Sequence, residues 1–154
     1  NLLQSLESCE ANFDAKFSDE SSETVQRVGA LESKLLSIAT KYSAGSNSAD
    51  ELSSFIQELE QAEILAESIH LDQKSLIANT NYVALVRIHA GIRLLSCSIK
   101  SSLARNESRG VHQRSDFLEE DPELIHHITV DNNANIGTLA VRKGQKGNWI
   151  LVPQ

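Results

Sequence analysis

The chain contains 154 residues, of which 40% are hydrophobic and 23% are charged, and its formal net charge is −7. This composition is typical of a globular domain, and a chain of this length can bury roughly two-thirds of the surface that its unfolded form exposes. The acidic balance, the few aromatic residues and the lack of a basic stripe before residue 87 argue against a nucleic-acid-binding protein and against a membrane-surface protein. We therefore expect neither nucleic acid as a partner nor direct insertion into a membrane.

The start of the chain and its cysteines narrow its class further. The sequence begins with Asn1 and contains no methionine, so we expect a segment of a longer protein. Its first residues lack the basic region and the long apolar run of a signal peptide, which favours a cytoplasmic location. Cys9 and Cys97 have no C-x-x-C spacing, so neither a disulfide framework nor a zinc site is expected.

Apolar residues recur at intervals of three and four before residue 110, which predicts amphipathic helices. A first run at residues 2–17 predicts an additional N-terminal helix, which the polar residues 18–23 separate from the next stripe. The alternative is one bent helix over both segments, and two helices are favoured. That second stripe comprises Val25, Val28, Leu31, Leu35 and Ile38.

The small polar cluster at residues 43–48 predicts a loop, and Ser48 with Glu51 has the spacing of a capping box. A helix over residues 49–69 should follow, with Glu residues on its outer face. Its predicted apolar face comprises Leu52, Phe55, Ile56, Leu59, Ala62 and Ala66.

A long central helix is predicted from about residue 76 to Arg109. Gly110 stands where a left-handed residue commonly ends a helix, and Arg105 and Arg109 would occupy the final turns, where cations favour the helix dipole. The predicted apolar stripe comprises Leu85, Ile88, Ile92, Leu95, Ile99 and Leu103, widened by Val86 and Leu94.

After residue 110 the period changes to short β-favouring runs at residues 128–130, 136–141 and 149–152. Before them, Pro122 in Asp121-Pro122-Glu123 predicts the start of a short turn. The expected fold class is mainly α. We predict one domain over 1–154 with a three-helix, spectrin-repeat-like bundle at about 1–110, a turn at 110–122, and an antiparallel β hairpin or meander in the tail at 126–152.

The sequence contains none of the common signatures of catalysis or cofactor binding. The patterns G-x-G-x-x-G, G-x-S-x-G and H-E-x-x-H are all absent. His126 and His127 would point in opposite directions on a strand, and the acids at 119–121 are typical of a solvated loop. We therefore predict no catalytic, cofactor-binding or metal-binding residue in this chain.

The stretch from Ala104 to Phe117 differs from the rest, because three arginines, a histidine and two acids crowd the end of the long helix. A helix end that leads into a glycine turn can present guanidinium groups in fixed geometry to carboxylates or carbonyls of another surface. The alternative is a solvated helix end with arginines that complement its dipole.

This stretch resembles A-R-x-E-S-R-G-x-H-x-R-x-D-[FY] in the C-terminal domain of the flavoprotein subunits of fumarate reductase and succinate dehydrogenase, a family that includes L-aspartate oxidase. Every specified position matches, and residues 119–130 are similar to the acidic turn and the K-H-T-L segment that follow in the family. Leu118, His126 and the order Ile128-Thr129 depart from the pattern. The form around Ser108 is closer to the fumarate reductase and succinate dehydrogenase branch, with L-aspartate oxidase as the alternative.

The resemblance implies a structural role within a larger FAD-dependent oxidoreductase that acts on a dicarboxylate. FAD would be held by another domain of the same chain, so this domain would hold no cofactor and would have no activity alone. An iron–sulfur subunit is a further candidate partner, through which the enzyme could associate with a membrane.

Within the motif, the resemblance implies that Arg109, His112 and Arg114 face the FAD domain, with Glu107 or Asp116 as local acceptors for the guanidinium groups. The full set of interface candidates is Arg105, Glu107, Arg109, His112, Arg114 and Asp116. A rival from another class is a free-standing helical interaction module that binds its partner through the acidic helix at 49–69 or through the apolar edge of that helix.

Overall fold

The computed structural model describes residues 27–69, 71, 79–131, 134–143 and 149–153. Three α-helices come first in the described chain: α1 (Arg27–Ser43), α2 (Ala49–Glu67) and α3 (Thr80–Ala104). A 3₁₀ helix follows, and then three strands. The mainly α fold class with a small antiparallel β element at the end is confirmed, whereas the additional helix predicted at residues 2–17 lies outside the described residues.

The chain divides into two compact units, and each helix contributes residues to both. The first unit comprises Asn1–Ser37 and Leu59–Ile92. Its buried apolar residues include the predicted stripe positions of all three helices, which confirms the helical period of the pattern. They are Val28, Leu31, Leu59, Ala62, Ala66, Ile69, Leu71, Leu85, Ile88 and Ile92.

Gly91 is the position in this first unit where a side chain would not fit. A Cβ atom built there would lie 2.7 Å from Cδ2 of Leu35. Helix α3 can therefore approach Leu35 of helix α1 closely because residue 91 has no side chain. Val86 on helix α3 is 50% exposed, so its predicted place in the apolar stripe is wrong.

The second unit comprises Ile38–Glu58 and Arg93–Gln154, and it contains all the residues of the motif. Leu94 is 69% exposed and is also wrongly assigned to the apolar stripe, because it lies on the outer face of the helix. Among the residues of this unit whose burial the structure describes, Ile38, Leu52, Phe55 and Ile99 are the buried apolar ones.

Helix α3 is shorter at its carboxyl end than the sequence pattern predicts. It ends at Ala104, so the prediction that it continues through Arg109 and stops at Gly110 is wrong. The last carbonyls of the helix are instead taken up by a side chain from downstream: Nη1 of Arg114 donates to the carbonyls of Ser102, Leu103 and Arg105 at 3.0–3.2 Å. This long-range cap replaces a local glycine cap, and no basic residue lies in the last turn of the helix.

Helix α3 also has the length and apolar composition of a membrane-spanning segment. Its most apolar window has a mean hydropathy of 1.3 and is 22% buried. The helix carries Arg87, Arg93 and Lys100, however, and its buried residues belong to the apolar cores of the two units. The expectation that this chain does not insert into a membrane stays a prediction.

Helix α2 begins with the capping box that the sequence predicts. The Ser48 amide donates to Oε2 of Glu51 at 2.7 Å, and the Glu51 amide donates back to the Ser48 hydroxyl at 3.3 Å. The bond from the Ser48 amide, and after it a bond of 3.0 Å from the Ser48 hydroxyl to the same carboxylate oxygen, lower the pKa of Glu51. Both backbone amides would otherwise lack a partner within the helix.

Replacing Ser48 by alanine should lower the free energy of unfolding by about 1 kcal/mol, because the hydroxyl that accepts from the Glu51 amide is lost. Urea denaturation of the 154-residue chain, followed by circular dichroism, would measure the change. Ser46→Ala, on an exposed residue of the same loop, is the matched control and should leave the midpoint unchanged. Equal effects of the two substitutions would contradict the capping role.

The β tail forms an antiparallel meander of β1 (His126–Val130), β2 (Ile136–Lys143) and β3 (Trp149–Pro153). The register pairs His126 with Ala140 and Lys143 with Trp149. Strand β1 begins two residues before the predicted run, since His126 and His127 belong to it, and its residues alternate between half-buried and exposed.

The segment before the sheet also folds as the sequence predicts. Pro122–Leu124 forms the 3₁₀ helix, and the Asp121 side chain accepts from the Glu123 amide at 2.9 Å as its N-cap. This turn leads the chain from the motif into strand β1.

Candidate functional site

The motif residues after helix α3 fold back on themselves through a tight turn. The Arg109 amide donates to the His112 carbonyl at 2.8 Å, and the His112 amide donates to the Arg109 carbonyl at 3.1 Å. Gly110, the first central residue, has a φ of 59°, a conformation that favours glycine and occurs at this position of type II′ turns. Val111 completes the turn and has a fully exposed side chain.

Glu107 is the centre of one charged cluster. Its side chain is 0% exposed, and its carboxylate accepts from Nη1 of Arg105, from Nη2 of Arg109 at 2.9 Å and from the Asp121 amide at 2.9 Å. Nε of Arg109 lies 3.2 Å from both carboxylate oxygens. The buried carboxylate is therefore paired with two guanidinium groups. Such pairing is needed because burying an unpaired charge costs a large amount of free energy.

The two arginines of this cluster connect it to the next segment of the chain. Arg105 donates to the carbonyl oxygens of Leu124, at 3.1 Å, and of His126 in strand β1. Arg109 donates to the Asp121 carbonyl at 3.0 Å and to the exposed Glu120 carboxylate at 2.9 Å. These bonds hold the turn before the sheet against the end of helix α3.

A second cluster is built on Arg114, whose side chain is 1% exposed. Its Nε and Nη2 donate to the two carboxylate oxygens of Asp116 at 2.8 and 2.7 Å, a bidentate pair. Its Nη1 caps helix α3, and its guanidinium carbon lies 5.0 Å from the centre of the Phe117 ring. All three guanidinium nitrogens of Arg114 thus donate to groups within this chain.

Asp116 extends the Arg114 cluster to the start of helix α2. Its Oδ2 accepts from the Ala49 amide at 3.0 Å. A cation therefore stands at the carboxyl end of α3 and its anionic partner at the amino end of α2, the two positions at which helix dipoles stabilise such charges. One ion pair joins the ends of both helices within the second unit.

Two residues to which the sequence assigned no role complete this arrangement. Asn47 donates from its amide to the Gln113 carbonyl at 3.3 Å and accepts at its carbonyl from the Ser115 amide at 3.2 Å, which forms a parallel bridge. Ser108 is buried, and its hydroxyl accepts from the Arg114 amide at 2.8 Å and donates to the Phe117 carbonyl at 2.6 Å. Ser108 could have been found from the sequence, because the motif pattern specifies a serine at this position. No sequence pattern pointed to Asn47.

A cavity of about 370 Å³ opens beside the turn in the second unit. Nε2 of His112 lies 3.4 Å from the Arg105 carbonyl, and the Tyr42 hydroxyl lies 2.7 Å from that of Ser102. The wall is mixed, with polar groups, the charged side chain of Arg114 and two apolar side chains. The lining residues include Tyr42, Leu52, Val111, His112, Gln113 and Arg114.

The structure places all six predicted interface residues in the second unit and sorts them into two clusters and one turn residue. Glu107 accepts from Arg105 and Arg109, and Asp116 accepts from Arg114, which agrees with the local acceptor roles expected for these two acids. His112 lies in the cavity wall. Their role as an interface with another domain stays a prediction.

The described residues offer no obvious metal centre. Across residues 27–69, 71, 79–131, 134–143 and 149–153, no group of three or more His, Cys, Asp and Glu side chains could hold an ion. His126 is half-buried and His127 is exposed on alternate sides of strand β1. The adjacent histidines therefore do not converge on one ligand.

The stability of the chain should fall as the solution is acidified from about pH 5 toward pH 2. Hydrogen bonds from Arg109 and Arg114, respectively, lower the pKa of Glu107 and that of Asp116 to about 2. Both groups take up protons at a higher pH in the unfolded chain, so the stability they contribute is complete above the unfolded pKa of about 4 and is lost as pH falls toward the folded pKa.

Urea midpoints at pH 6 and pH 3 would measure this dependence. Glu107→Gln and Asp116→Asn should each flatten the decline, because the group that titrates is removed. Glu123→Gln, on an exposed acid of the nearby 3₁₀ helix, is the control. A decline of unchanged steepness in the first two variants would contradict the assignment.

Comparison with known proteins shows which family has this fold and motif. A family model described as "Fumarate reductase flavoprotein C-term" matches residues 32–149. Fumarate reductase flavoprotein subunits from two strains of Mycobacterium tuberculosis are each 35% identical to this chain over 71 residues, which is 46% of this chain and 12% of theirs.

The fold is also found in a solved structure, a mutant FrdA of E. coli quinol fumarate reductase. The TM-score is 0.69 at 17% sequence identity, and the match covers 98% of this chain and 24% of that one. This chain thus spans only a small part of the length of the relatives it matches. The family match extends over most of the chain, and the chain therefore belongs to the family of fumarate reductase flavoprotein C-terminal domains.

Proposed function

We propose that this chain is the C-terminal helical domain of an FAD-dependent oxidoreductase of the fumarate reductase and succinate dehydrogenase type, acting on a dicarboxylate. The observation that carries the proposal is the family match over residues 32–149, within which the motif is complete. The role of the domain is structural: it packs on the FAD domain of the same protein and has no activity alone.

The residues of this chain do not fit FAD. Its seven glycines are dispersed at positions 29, 45, 91, 110, 137, 144 and 147, so no glycine-rich turn is available to approach the pyrophosphate of a dinucleotide. The charged side chains of the motif are also engaged with each other and with backbone carbonyls. Binding of FAD and the redox chemistry therefore belong to the rest of the protein.

The ion pairs of the motif support a role as a rigid platform. Glu107 and Arg114 are fully buried and fix the path of the chain between helix α3 and strand β1. A surface that is ordered before it binds loses less conformational entropy on docking. The six motif residues from Arg105 to Asp116 thus form the part of the domain that faces the FAD domain. An iron–sulfur subunit is a further candidate partner, and the enzyme would be cytoplasmic with membrane association through its partners.

The experiment compares three proteins: the full-length flavoprotein, the same protein without the residues of this chain, and this chain alone. We expect the truncated protein to lose FAD at least tenfold faster in gel filtration and to lose fumarate reduction with a reduced viologen dye. The chain alone should bind no FAD. Unchanged flavin content and turnover after truncation, or a yellow and active isolated chain, would contradict the proposal.

A further inference from the structure

The charged residues of the motif are the conspicuous candidates for contact with another domain, yet the structure engages them internally. Arg114 is 1% exposed, Glu107 is 0% exposed, and Arg105 donates to Glu107 and to two carbonyls of the segment that leads into strand β1. Among the described residues, no buried side-chain nitrogen or oxygen lacks a hydrogen-bond partner. These buried groups therefore already have partners within this chain.

The exposed part of the same turn is apolar. Val111 has a relative exposure of 104%, and it lies between Gly110 and His112 at the tip of a turn that two backbone hydrogen bonds close. Covering a fully exposed valine side chain with another surface removes apolar area from water, and this lowers the free energy of the complex. The charged clusters hold this tip in place.

The cavity beside the tip gives the surface a concave part. Val111 and His112 belong both to the turn and to the cavity wall, which also includes Gln113, Tyr42, Leu52 and Arg114. The volume of about 370 Å³ is of the size that binding clefts for small groups have. A convex apolar tip next to a mixed cavity suits one protruding loop of a partner, which can cover the tip and fill the cavity together.

We infer that Val111 and the cavity beside it form the docking point for the FAD domain of the same protein. The inference rests on the proposed function. The length of a related protein indicates what occupies the docking point. The match to the solved FrdA relative covers 98% of this chain but only 24% of FrdA, so about three-quarters of such a protein lie outside the region that this chain represents. The docked loop covers Val111 and fills the cavity against His112 and Gln113.

The test uses the full-length flavoprotein with Val111→Asp and, as the matched control, Leu94→Asp on an exposed apolar residue of helix α3 that does not line the cavity. Both sites are exposed, so neither substitution disturbs a buried residue. We expect Val111→Asp to accelerate FAD release and proteolysis between the two domains at least tenfold. Hydrogen exchange at the amides of Gly110 and Val111 should be at least tenfold slower in the wild-type protein than in that variant. Leu94→Asp should change none of these rates.

The outcomes separate the inference from the proposed function. If truncation releases FAD but Val111→Asp leaves FAD release, proteolysis and hydrogen exchange unchanged, the docking point lies elsewhere and the inference is wrong. If both aspartate substitutions have equal effects, the docking surface is not specific to the turn, which also overturns the inference. If truncation itself has no effect, the proposed function fails.

Discussion

Replacing Glu107 by glutamine should lower the free energy of unfolding by about 3–5 kcal/mol, because the substitution removes one member of a buried charged pair. The carboxylate is 0% exposed and accepts from Arg105, from Arg109 and from the Asp121 amide. Glutamine keeps one carbonyl oxygen, but it introduces an amide that faces these donors. The guanidinium group of Arg105, whose side chain is only 15% exposed, loses its anion in a site where water replaces it poorly.

The matched control for Glu107→Gln is Glu120→Gln, because Arg109 contacts both acids at the same distance of 2.9 Å. Glu120 is 60% exposed, so its pair with Arg109 should contribute at most about 1 kcal/mol. Urea denaturation of both variants at pH 7 measures the difference. Equal losses would show that burial does not decide the contribution of the carboxylate.

The helical part of the fold follows from residue spacing, because one buried face is enough to set the period. Ile38, Leu59 and Ile99 each fall on a predicted stripe and are buried. Spacing does not fix how wide the buried face is, which is why Val86 and Leu94 were assigned to it although they are exposed. The width depends on which neighbours cover the helix, and that information is not local.

The end of helix α3 could not be predicted for a related reason. Local signals pointed to Gly110, which does adopt a positive φ, but in the turn after the helix. The carbonyls of the last turn are capped by Arg114, which is 12 residues beyond Ser102 in the sequence. A cap supplied by a distant side chain leaves no pattern at the helix end itself, so only the fold shows it.

The candidate site was predictable in its composition but not in its contacts. The motif placed Glu107, Arg109 and Asp116 together, and the acids accept from the arginines as expected. The partners contributed by backbone groups, such as the Ala49 amide, depend on how the loop before helix α2 pairs with residues 113–115. Backbone partners of this kind do not constrain residue type, and a single sequence cannot reveal them.

Replacing Arg114 by methionine should also lower the free energy of unfolding by about 3–5 kcal/mol. The side chain is 1% exposed, and methionine fills a similar volume without the guanidinium group. Three carbonyls at the end of helix α3 lose their donor, and Asp116 loses its bidentate partner. Arg87→Met, on an exposed arginine of the same helix, should change the free energy by no more than about 0.5 kcal/mol.

A double-mutant cycle separates the two functions of Arg114. If the ion pair dominates, Arg114→Met and Asp116→Asn should couple strongly, because each substitution alone already breaks the pair. If capping dominates, Asp116→Asn alone should cost much less than Arg114→Met, since the asparagine can still accept from the Ala49 amide. We expect capping to dominate, because the Asp116 side chain is 30% exposed and can be solvated. The other contacts of the capped carbonyls, the Arg105 amide with Ser102 at 3.3 Å and Nε2 of His112 with Arg105 at 3.4 Å, are longer than the 3.0–3.2 Å bonds from Arg114. Arg114→Lys tests this directly: an ammonium group that restores most of the stability without restoring a bidentate pair would confirm the capping role, and no recovery would assign the effect to the planar guanidinium pair.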